Sequence, residues 1–167
     1  MSHNPESAPS PRFALPGHCV IALSGRDAVA FAQAQLMNDV DATPVGRWQW
    51  SGWLTPKGRV IALFALVRVA EDAVWLVAAD VDPDALATRL QRFVLRRQLQ
   101  VEVRLDLHVT GQFAAPEHAS GASFAGDVLH GIELDVSGFG IRRTLRIARE
   151  EAPQDVQAEM QWLSSDL

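Results

Sequence analysis

The stretch that most constrains the fold runs from Trp48 to Val69, WQWSGWLTPKGRVIALFALVRV. Two apolar runs flank Thr55-Pro56-Lys57-Gly58. Proline presets φ for a turn, and glycine takes the positive φ that a tight reversal needs. The segment therefore predicts a β-hairpin with strands at about 47–54 and 59–69. The second strand is apolar on both of its alternating faces. It must lie inside a sheet that is covered on both sides.

The remaining elements follow from period and punctuation. His18 to Leu23 reads as a buried strand. Ser24 is placed to cap a helix, with Asp27 completing a capping box. That helix runs from Arg26 to about Asn38, with Ala28, Phe31, Ala32 and Gln35 or Leu36 along one face. A strand is predicted over 73–79. Asp82 then caps a second helix with Pro83 at its first position. Leu86, Leu90, Phe93 and Val94 form its apolar stripe. Residues 98–109 alternate in part and read as one strand with a solvated side.

The order over 17–109 is β-α-β-β-β-α-β, a ferredoxin-like split βαβ domain of the α+β class with one extra strand. Residues 1–16 read as a disordered Pro/Ser leader. Residues 110–167 begin a second, partial α+β layer: strands at 127–136 and 139–148, and a helix from Pro153 to about Ser165. That layer is expected to be incomplete. Exposed apolar surface and edge strands would then be closed by self-association or by a separate C-terminal half.

Composition narrows the function classes. The net charge is −5 and no basic patch stands out, which gives nucleic acid no evident footing. The longest apolar run, Val60 to Val67, is too short to span a bilayer. A single cysteine excludes an intrachain disulfide and suits a reducing cytoplasm. Cys19 lies in an apolar strand, the setting of an inert thiol rather than a nucleophile. None of the five histidines is spaced with another ligand type as a metal site requires.

Two features carry chemistry. Trp48 and Trp50 share one strand face and Trp53 falls on the other. They are either core packing or a flat wall for a planar heterocycle. Lys57, the only lysine, and Arg59 sit at the hairpin tip, with Arg96 and Arg97 after the second helix. These are either solvated ends or an anion-facing rim.

The run LSGRDAVAFAQAQLMNDVDATPVGRWQWSGWLTPKGRVIALFALV resembles the N-terminal signature of the YgfZ-type folate-binding proteins, relatives of the glycine-cleavage T-protein, an aminomethyltransferase. The matching residues are Ser24-Gly25, Asp27-Ala28, Phe31, Gln35, Asn38-Asp39-Val40, Gly46 and Pro56-Lys57-Gly58-Arg59-Val60. LATRLQRFVLRRQLQVEV resembles the following helix and strand. The resemblance implies tetrahydrofolate as cofactor and a role in iron–sulfur cluster maintenance or tRNA modification. It covers about 17 to 110, the N-terminal portion of such a protein. The family's Cys-containing motif, Lys-Gly-Cys-Tyr-x-Gly-Gln-Glu, is absent from this sequence. Where aminomethyltransferases carry an Asp pair, this chain has Ala62 and Leu63, so the resemblance implies binding without one-carbon transfer. The site residues it implies are Trp53, Lys57, Arg59, Ala62, Leu63 and Val77. The alternatives are a folate-dependent aminomethyltransferase and an interaction domain that binds no ligand.

Overall fold

The structure, a computed structural model, describes residues 10–166. Two five-stranded antiparallel sheets pack face to face, and two helices cover the outer face of one of them. The first sheet contains β2 (His18–Ser24), β3 (Trp48–Leu54), β4 (Val60–Ala70), β5 (Ala73–Ala79) and β6 (Gln100–Val103), in the order β3-β4-β5-β2-β6. Without β3 this is the order of a split βαβ fold, and β3 is the extra edge strand. The second sheet contains β1 (Phe13–Ala14), β7 (His108–Gln112), β8 (Ala125–Asp127), β9 (Gly131–Asp135) and β10 (Thr144–Ala148), in the order β1-β7-β10-β9-β8. The helices are α1 (Ala28–Gln35), α2 (Pro83–Gln91) and α3 (Val156–Ser164).

Side-chain alternation divides the core in two. Ile21, Leu23, Phe64, Leu66, Val74 and Leu76 point to the helices and meet Phe31 of α1 and Leu86 and Leu90 of α2. Val20, Ala22, Ala65, Val67 and Val77 point the other way and meet Val109, Ile132, Leu134, Leu145 and Ile147 of the second sheet. Trp162 of α3 joins this inter-sheet cluster against Phe13 and Phe113.

The hairpin forms as the Pro-Lys-Gly turn dictates. Gly58 N–H donates to the Thr55 carbonyl at 2.8 Å, and Gly58 adopts φ +81°. The start of α2 also follows expectation, with the Asp82 carboxylate accepting from Ala85 N–H.

Several local expectations are corrected. The first helix begins at Ala28, and neither Ser24 nor Asp27 caps it through a side chain. The Asp27 carboxylate instead accepts from the backbone N–H of Gln98 at 2.7 Å, tying the start of α1 to the approach to β6. The single strand expected over 98–109 is two strands in different sheets. The chain crosses between them at Arg104, whose guanidinium makes two 2.9 Å bonds to Asp106. The strand expected over 127–136 is a β8–β9 hairpin whose turn is held by Asp127 accepting from Leu129 and His130 N–H. Phe13 and Leu15, within the expected disordered leader, are buried, because β1 pairs with β7. Residues 1–9 of that leader lie outside the described residues. The second layer is a five-stranded sheet that also takes in β1 and β7.

Candidate functional site: an inter-sheet cavity

The strand β4 is covered on both faces only from Phe64 to Arg68. Toward the hairpin tip that cover ends, and Val60 and Leu63 are left exposed, Leu63 by 60%. A cavity of about 800 Å³ opens at this point between the sheets. That volume lies in the range of small-molecule sites. One wall is Ile61, Leu63, Ala65, Val77 and Ala79 of the first sheet, with Trp50 at the edge. The opposite wall is Leu145, the Val136–Phe139 turn and Trp162 of α3.

Trp50 is exposed and stands edge-on to the buried Trp48, with ring centroids 5.1 Å apart. The Trp48 indole N–H is satisfied by the Gly121 carbonyl. Trp162 reaches the cavity because β7 carries glycine beneath it. A Cβ on Gly111 would stand 3.0 Å from two of its ring carbons.

Among the described residues, three ionisable side chains line this apolar hollow: His18, Arg143 and Asp166. Arg143 is 7% exposed, and its Nη1 donates to Asp166 at 2.7 Å. Its guanidinium carbon lies 4.8 Å from the Trp162 ring centroid, in cation–π range. Burial lowers the pKa of His18 below its ordinary 6.5, against the opposing pull of Asp166 and Asp80. The ring is therefore neutral at pH 7.

The residues expected from the sequence divide between two places. Ala62, Leu63 and Val77 border the cavity. Trp53 does not. It is 2% exposed in the helix-side core, edge-on to Phe93 and beneath Arg89. The alternation that sends Trp50 toward the second sheet sends Trp53 to the helices. Lys57 and Arg59 are exposed at the hairpin tip and do not line the cavity. The cation that does line it is Arg143.

Sequence reasoning missed His18, Trp50's separate position, Arg143, Trp162 and Asp166. An arginine in the apolar neighbourhood of Thr144-Leu145 and a lone Trp on the apolar stripe of the last helix were the available signals. Among the described residues no cluster of three His, Cys, Asp or Glu could hold a metal ion. No helix there is long and apolar enough to cross a membrane.

No family model matches the sequence, and no curated protein matches it. Among solved structures, the chain is similar to the glycine cleavage system aminomethyltransferase T from Bartonella henselae, with a TM-score of 0.72 and 18% identity. The match covers 84% of this chain and 42% of that one, so this chain spans less than half the length of its structural neighbour. The fold is that of the aminomethyltransferase T chain over the matched region, an α+β architecture of two antiparallel sheets and three helices.

Proposed function

We propose that this chain is a YgfZ-type folate-binding protein that holds a tetrahydrofolate-like ligand between its sheets without transforming it. It would act in the cytoplasm in iron–sulfur cluster maintenance or tRNA modification. One observation carries the reading: the apolar end of β4, which a folded chain would ordinarily cover, faces a cavity of about 800 Å³ edged by two indoles. Trp50 offers an exposed flat face to a heterocycle, Trp162 backs the site from beneath Arg143, and the aliphatic wall excludes water around the ligand. The fold likeness to an aminomethyltransferase T supports a folate-type ligand.

Ala62 and Leu63 offer no titratable group for acid–base work. Among the described residues the one cavity carboxylate, Asp166, is engaged by Arg143. This favours binding over one-carbon transfer.

The test is titration with tetrahydrofolate, followed by Trp fluorescence and by equilibrium dialysis. Saturable quenching at micromolar ligand, reduced in Trp50→Ala, is the expected result. Silence in both measurements would discard the reading.

A second reading, an interaction domain that self-associates, is favoured by Phe139 standing fully exposed beside Leu63 and Trp50 at the cavity mouth. Light scattering decides it: a dimer that Phe139→Ser converts to monomer would support it, and a monomeric wild type would exclude it.

A further inference from the structure

Arg143 is an unusual lining for an apolar cavity. Its main chain is fixed just before β10: its N–H donates to Ser137 Oγ at 3.0 Å and its carbonyl accepts from Val136 N–H at 3.1 Å. Its side chain is fixed by the Trp162 ring. The guanidinium is nonetheless under-satisfied. Nη2 reaches the Val136 carbonyl only at 3.4 Å, and the buried Nε has no partner among the described residues. Asp166 meets it through one short bond, and its own side chain remains 47% exposed. A planar guanidinium binds a carboxylate best through two parallel bonds. A buried cation with unmatched donors is costly to keep, so a partner that completes its hydrogen bonding is strongly favoured. Beside it, His18 adds a hydrogen-bonding ring without a second charge.

We propose that Arg143 is the anion-recognition residue of the inter-sheet cavity, that its ligand is an aromatic acid, and that Asp166 is a resident counter-ion which the ligand's acidic group displaces. Trp50 and the β4 wall take the ring system, and Arg143, backed by the buried Trp162, takes the oxyanion. The half-exposed Asp166 can swing into solvent at small cost, whereas Arg143 cannot follow it. The proposal rests on the cavity being a ligand site, but not on that ligand being folate.

A matched probe pair separates the two. 8-Anilinonaphthalene-1-sulfonate and the neutral N-phenyl-1-naphthylamine share an arylamine framework and differ in the acidic group. Both are titrated by fluorescence into the wild type, Arg143→Met and Asp166→Asn, with near-UV circular dichroism confirming native packing. Arg143→Met is expected to weaken the sulfonate about tenfold or more and to move the neutral probe less than about twofold. Asp166→Asn keeps an acceptor for Nη1 but removes the competing charge. It is expected to tighten the sulfonate about threefold or more and leave the neutral probe unchanged. The proposal is overturned if the sulfonate does not bind, if both probes move together, or if Asp166→Asn fails to tighten the sulfonate. Should Arg143→Met not fold, the half-exposed Asp166→Asn decides alone. A protein that discriminates the probes but does not bind tetrahydrofolate contradicts the folate reading only. One that binds tetrahydrofolate without discriminating the probes contradicts this proposal only.

Discussion

The indole of Trp162 lies directly against Gly111, in the space a side chain on β7 would fill. A Cβ there would stand 3.0 Å from two ring carbons of Trp162 and 3.1 Å from Phe13. Gly111→Val should therefore push the indole off the sheet and open the cavity wall. Overpacking of this kind costs about 1–3 kcal/mol. The expected outcome is a lower melting temperature together with a changed near-UV dichroism band, and Gly111→Ala should show the smaller effect.

Asp27 is a clasp rather than a cap. Its carboxylate and its N–H both bond the backbone of Gln98, and Gly25 at φ +135° lets the chains approach, since a Cβ there would meet the Gln98 carbonyl oxygen at 2.6 Å. Asp27→Ala should lower stability by about 1 kcal/mol, read as a shift in the urea midpoint with an unchanged slope. Gly25→Ala should cost more, because strain and clash act together.

Leu63 offers the reverse case, a residue whose replacement the fold should tolerate. It is exposed on the cavity face of β4. Leu63→Asp should leave stability within about 0.5 kcal/mol of the wild type. It should weaken tetrahydrofolate binding, because it removes apolar wall and adds a charge of the wrong sign. A melt and a titration on the same sample check both statements.

The hairpin, the α2 start and the ferredoxin-like order were legible because each has a local cause: Pro-Lys-Gly geometry, an Asp-Pro cap, and apolar period. The cavity was legible in part. Ala62, Leu63 and Val77 sit on or beside the doubly apolar strand, and such a strand is marked by composition alone. Trp53 lies in the helix-side core and not at the cavity, because period tells which residues share a face, not which layer that face meets. Lys57 drew attention as the only lysine, yet rarity carries no position. Arg143, Trp162 and Asp166 reach the cavity only through the second sheet and the docking of α3. Arg143 meets Asp166 across 23 residues and Trp162 meets Phe13 across most of the chain, so no single segment shows that they converge. The break at Arg104 was hidden for a related reason: alternation continues through the crossover between sheets, and only the Arg104–Asp106 clasp marks it.

Acid should weaken the fold through His18. Burial lowers its folded pKa below 6.5, so the unfolded chain binds the proton more tightly. This contribution to stability is complete above about pH 6.5 and is lost as pH falls through the lowered folded value. His18→Gln should flatten the dependence of the urea midpoint between pH 7.5 and pH 5, an interval set around that value. Asp106 acts lower. The hydrogen bonds from Arg104 hold it at about 2 against an ordinary 3.8, so its contribution is lost only as pH falls from about 3.8 to about 2.

The indole N–H resonances of the five tryptophans test the account most directly, because they report both binding and place. On addition of tetrahydrofolate, the signals of Trp50 and Trp162 should shift saturably while that of Trp53, on the helix side of the sheet, stays fixed. Unmoved signals for Trp50 and Trp162 at saturating tetrahydrofolate, or a shift confined to Trp53, would contradict a ligand site between the sheets.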